Sequence, residues 1–162
     1  MSYTAIPLRA GSASASALAV DRDMLRVAAD LDRYGMHVVH VGEGCDCGDC
    51  TATPLPPDQR FGYTIGLTDL GHPELLVRGL TGRETAELLV RWGDTVLAGQ
   101  VFDAGHLLCE GSGGPTWELV PVRRPSRTLR WAGRYYGTSG TGGLSALELI
   151  PARRPCPCEG CS

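Results

Sequence analysis

The chain has 162 residues, 43% of them hydrophobic, which is enough for one domain with its own core and too little for two. Its formal charge of −3 and the lack of any run near the ~18 consecutive apolar residues of a membrane span argue against a nucleic-acid binder and against a membrane-embedded protein. The stretch from Met1 to Arg9 has no continuous apolar segment of signal-peptide type, so the expectation is a cytoplasmic protein whose thiols stay reduced.

Residues 1–19 are rich in Ala and Ser and carry too little side-chain volume to bury much surface, which predicts a mobile arm. The domain itself is expected over 20–150. Asp21 is placed as an N-cap before Met24, Val27, Ala28, Leu31 and Tyr34, an apolar stripe at helical spacing closed by Gly35. A β-branched run from Met36 to Val41 follows. In Phe61, Tyr63, Ile65 and Leu67, apolar residues alternate with Gly62, Thr64 and Gly66, predicting a half-buried strand whose small side admits close packing. The turn Gly71-His72-Pro73-Glu74 leads into a strand at Leu75 to Val77. Thr81 and Glu84 form a capping box that opens a second amphipathic helix running to Gly99. Shorter β-like segments are expected at Val101–Phe102, His106 to Cys109, Trp117 to Val122 and Leu147 to Ile150. The pattern predicts a loop-rich α+β domain with a mainly antiparallel sheet and two principal helices.

Six of the seven cysteines fall in two copies of Cys-x-Cys-x-x-Cys: Cys45, Cys47 and Cys50, then Cys156, Cys158 and Cys161. Thiolates are soft metal ligands, and each triad leaves a tetrahedral ion one ligand short. The expectation is a metal staple in which the tail, 151–162, docks on the 44–50 loop and both triads share one site. Zinc is the expected ion, with an iron–sulfur cluster as the alternative and thiol–disulfide chemistry at Cys47 and Cys50 behind it. Cys109, in an apolar stretch, reads as an inert small hydrophobe.

The segments Phe61 to Leu67 and Gly71 to Val77, the capped helix after them, and the Tyr135-Tyr136 pair resemble the bacterial family known as domain of unknown function 4262, from about Asp21 to Ile150. The resemblance implies a fold and no established reaction. Members commonly end in an aromatic, proline-rich tail, where this chain carries its second cysteine triad.

Outside the cysteines, His72 and Glu74 offer the best chemical pair, since an imidazole and a carboxylate separated by a rigid proline could exchange protons, with Tyr63 nearby if the strands pair. The alternative is that His72 hydrogen-bonds its turn while Glu74 faces water. The glycine-rich loop Gly137 to Gly143 could wrap a phosphate, with Arg134 as the anion-holding side chain. Residues 111–162 hold seven arginines against three acids, whereas 1–110 hold fifteen acids against eight arginines, and mutual neutralisation of the two parts is the simpler reading. No nucleotide, hydrolase or metalloprotease motif is present. The sequence therefore argues for a zinc-stapled binding or regulatory domain with a protein or small-molecule partner, ahead of an enzyme that uses His72 and Glu74 on a phosphate- or flavin-like ligand.

Overall fold

Leu75, Leu76 and Val77 are all fully buried, which a strand achieves only when both faces of its sheet are covered. The computed structural model describes residues 15–44, 53–111, 114–137 and 143–153. In chain order the elements are α1 (Ala15–Tyr34), β1 (His37–Val41), β2 (Phe61–Ile65), β3 (Glu74–Arg78), α2 (Gly82–Leu97), β4 (Leu107–Cys109), β5 (Thr116–Pro121), α3 (Pro125–Thr128), α4 (Arg130–Tyr135) and β6 (Ala146–Pro151). The six strands form one sheet in the order β1-β2-β3-β6-β5-β4. Four neighbouring pairs are antiparallel and one, β3 with β6, is parallel.

Period-two alternation sorts the strand side chains onto two faces. Leu75 and Val77 join Leu147, Leu149, Trp117 and Leu119 beneath Leu88, Leu89 and Val96 of α2. Leu76, Tyr63 and Ile65 point the other way, against Val27 of α1 and Ala132 of α4. The result is a three-layer α+β domain whose open sheet has, among the described residues, β1 and the three-residue β4 as its edge strands.

Several local expectations hold. The capping box is formed, with Thr81 accepting from the Glu84 amide and Glu84 reaching back to the amide of Thr81. Gly35 ends α1 at a φ of 78°, and its N–H is bonded to the Leu31 carbonyl. The small side of β2 is used as expected: Gly62 lies under the Thr85 methyl of α2, and Gly66 lies against the Gly35 carbonyl.

Other expectations change. The first helix starts at Ala15, inside the segment expected to be a mobile arm, because alanine and leucine sustain a helix without an apolar stripe. Val101–Phe102 is not a strand; Phe102 is buried in a loop beside His72 and Trp92. The arginine-rich connection holds two short helices, and Pro125 occupies the first position of one of them, where its missing N–H costs nothing.

Gly66 has a φ of 129°, and a Cβ built there would lie 2.5 Å from the Gly35 carbonyl oxygen. Gly66→Ala combines left-side backbone strain with a clash against main chain that cannot rotate away, so it is expected to destabilise by roughly 3 kcal/mol or more in urea denaturation. Gly71→Ala, at a φ of 75° but with nothing within 4 Å of the added methyl, should cost less.

Candidate functional site

The motif residues 61–76 converge on one carboxylate. Glu74 opens β3 and is fully buried. Its Oε1 accepts from the backbone N–H of Gly66 (3.1 Å) and Thr68 (3.0 Å), from the Thr68 hydroxyl (2.8 Å) and from the Tyr136 phenol (3.0 Å). Its Oε2 accepts from the Thr64 hydroxyl at 2.6 Å, which in turn accepts the Leu75 N–H at 2.9 Å. All five contacts come from donors, the pattern that satisfies a buried carboxylate. The Gly66 N–H is shared, lying 2.8 Å from the Tyr136 oxygen as well. One side chain thus binds the end of β2, the 3-10 turn at Leu67–Leu70, the start of β3 and the end of α4.

His72 is equally engaged. Its Nδ1 donates to the Pro73 carbonyl at 2.6 Å and its Nε2 accepts the Phe102 N–H at 2.9 Å, while the ring meets Phe102 edge-on. The imidazole fastens the turn to the loop after α2, as one sequence alternative held, but Glu74 does not face water as that same alternative supposed. Tyr63 is buried, and its hydroxyl accepts the Trp131 N–H at 3.2 Å. None of the clefts described below is lined by His72, Glu74 or Tyr63. The described contacts thus give the trio structural work: Glu74 and His72 bond main chain and side chains of the protein itself, and Tyr63 accepts from the main chain.

The metal staple is overturned as well. Among the described residues there is no group of three or more His, Cys, Asp or Glu placed to hold an ion. Cys45, Cys47, Cys50, Cys156, Cys158 and Cys161 lie outside the described residues. Cys109 is disulfide-bonded rather than an inert thiol. The zinc-stapled binding domain gives way, among the described residues, to a fold fastened by the Glu74 knot. Residues 138–142 of the proposed phosphate loop also fall outside the description, and Arg134 is exposed in the last turn of α4. No described helix is long and apolar enough to cross a membrane.

Among the described residues, the longer of the two sheet edges left without a neighbouring strand is that of β1. Two clefts, of about 690 and 450 Å³, share Arg26, His37 and Val38 and together follow the strand. The larger is walled by Asp23 and Arg26 of α1 and closed by Leu55 and Trp131; the smaller passes between Asp30 and Tyr34 of α1 and Val90 and Asp94 of α2. Helices from both layers therefore overhang the outer edge of β1, which pairs with β2 on one side and with no described strand on the other. His37, on the α1 side, bonds Asp30 at 2.7 Å. His40, on the α2 side, lies 3.8 Å from Glu43, and its Nε2 is buried without a partner among the described residues. Tyr34 and Val90 remain 57% and 42% exposed beside the groove, a high exposure for large apolar groups framing a concavity. The sequence offered one signal for this site: Asp23, Arg26 and Asp30 repeat at helical spacing along a polar stripe of α1.

Glu74→Gln keeps the shape but sets an amide N–H against the donors of Thr64 or of Gly66 and Thr68. The expected loss is roughly 2–4 kcal/mol in denaturant unfolding. A change below about 0.5 kcal/mol, the ordinary surface range, would show that the knot is not what fastens the sheet.

Burial pushes the Tyr63 phenol from 10.0 up to about 12, against a smaller lowering by the Trp131 N–H, and burial followed by the Glu74 charge pushes Tyr136 up too. The folded chain holds these protons more tightly than the unfolded chain, so the stability is intact below pH 10 and falls as the pH rises from 10 towards about 12. Tyr63 alone should contribute a slope of up to about 1.4 kcal/mol per pH unit. Urea midpoints measured across that window should decline less steeply for Tyr63→Phe than for the parent.

No curated protein and no solved structure matches the chain. The profile described as domain of unknown function (DUF4262) matches residues 30–154, a span that contains the whole Glu74 knot, the His72 turn and the free strand β1. The chain belongs to the DUF4262 family.

Proposed function

We propose that this protein is a binding module that takes up an extended polypeptide segment along β1. The carrying observation is the recessed outer edge of β1: the strand pairs with β2 on one side and with no described strand on the other, between overhanging helices and with clefts of about 690 and 450 Å³ along its length. In a strand, the N–H and C=O groups of alternate residues point away from the paired neighbour, so β1 offers a ladder that an incoming strand can complete. Natural sheets usually cover or charge such an edge, and the other edge here is only three residues long. At β1 the edge is five residues long and framed by the apolar groups Val38, Met36, Val90 and Tyr34. Backbone pairing would supply affinity, and the clefts on either side would receive alternate side chains of the guest.

Random-sequence peptides selected on the immobilised protein should, when added to labelled protein, slow hydrogen exchange at alternate amides within His37–Val41. Selected peptides that leave every β1 amide exchanging at its free rate would sink the reading.

A further inference from the structure

From the charges that face the groove, we infer that its partner is a basic extended segment, in which aliphatic residues alternate with arginine or lysine. This rests on the reading of β1 as a strand-accepting edge. The fixed charges lining the two clefts are Asp23, Asp30 and Asp94 against the single Arg26. Asp23 and Asp30 belong to α1, on one side of the strand, and Asp94 belongs to α2, on the other.

The geometry sets what the guest must look like. A strand added to β1 sends successive side chains to opposite faces, one set towards α1 and the next towards α2. The carboxylates of both helices line the clefts, and Met36, Val38 and Val90 add apolar surface to the smaller one. Long cationic side chains suit this arrangement because their methylene stems cover apolar surface while their charged ends stay at the wet rim. An acidic segment would meet three carboxylates with one arginine to offset them. The Nδ1 of His37 lies 2.7 Å from Oδ2 of Asp30, so that carboxylate is partly engaged within the protein while Asp23 and Asp94 line the clefts beside it. Rim charges of this kind act chiefly on encounter rate and partner choice, so the preference should weaken with salt.

Two end-blocked peptides of five residues, the length of β1, test this: one alternates valine with arginine, the other valine with glutamate. At low ionic strength the arginine peptide should bind about tenfold tighter, narrowing at high salt, and should slow exchange at β1 amides. Asp23→Arg combined with Asp94→Arg, both on helix surfaces away from the Glu74 knot, should reverse the preference; Asp94→Asn alone should reduce it, a milder check if the double variant unfolds. Equal binding of both peptides with β1 protected would overturn the basic partner and leave the strand-accepting edge standing. Arginine-peptide binding without β1 protection would overturn it too, as adhesion elsewhere. Protection of β1 that rises with protein concentration in the absence of peptide would overturn it in favour of a second copy of the chain. Failure of both peptides where library-selected ones still protect β1 would likewise overturn the basic partner alone.

Discussion

Everything in this fold leans on five donors meeting one carboxylate in a place that water does not reach. Burying Glu74 would cost several kcal/mol if any of its lone pairs were left idle, so the residues around it are held to one arrangement. Thr64 must sit with its hydroxyl between Glu74 and the Leu75 amide, the chain must turn at Gly66 so that two successive amides aim inward, and α4 must end with Tyr136 over the same oxygen. A hydrophobic cluster tolerates sliding by a rotamer or a fraction of an ångström; this knot does not. It ties the end of β2 to the start of β3 and holds the end of the last helix against both.

That rigidity explains why the most recognisable residues of the chain are not its working surface. Tyr-Thr-x-Gly-Leu and His-Pro-Glu look chemical because they combine hydroxyls, an imidazole and a carboxylate. Their distances show each group consumed by backbone or by another member of the set. The groove by β1 is made of commoner residues, the strand's three valines and two histidines with helix-surface aspartates, whose importance comes from where the sheet happens to stop. The knot anchors the scaffold at the centre, and the edge that it supports stays open.

Much of this was legible in the sequence where local physics decides. The Thr81–Glu84 box and the Gly35 stop each name their own partner within a few residues and are found as expected, while the alternation in 61–67 gives a strand over Phe61–Ile65 that is buried on both faces rather than half-buried. What was not legible depended on topology. Nothing in the run from Met36 to Val41 distinguishes an edge strand from a central one, since both read as apolar and β-branched. Glu74 follows a turn, the usual place for a solvated acid, and its burial follows from Tyr136, which lies sixty-two residues away. The cysteine triads illustrate the opposite hazard: spacing alone suggested a strong local rule, and the described structure supplies no group of ligands to complete it.

The position of β6 has a further consequence for how the chain is made. It is the last strand in sequence, yet it lies between β3 and β5 in the middle of the sheet, and its parallel pairing with β3 joins residues about seventy apart. While the protein is being synthesised, α1 to β3 and then β4 with β5 can emerge and form, but they remain two unjoined parts until Ala146–Pro151 leaves the ribosome. During that interval β3, with three fully buried residues in the finished fold, presents a bare apolar edge to the cell. Chains that stop short of Ala146 should therefore expose this edge to holding chaperones, and the arrival of β6 covers it.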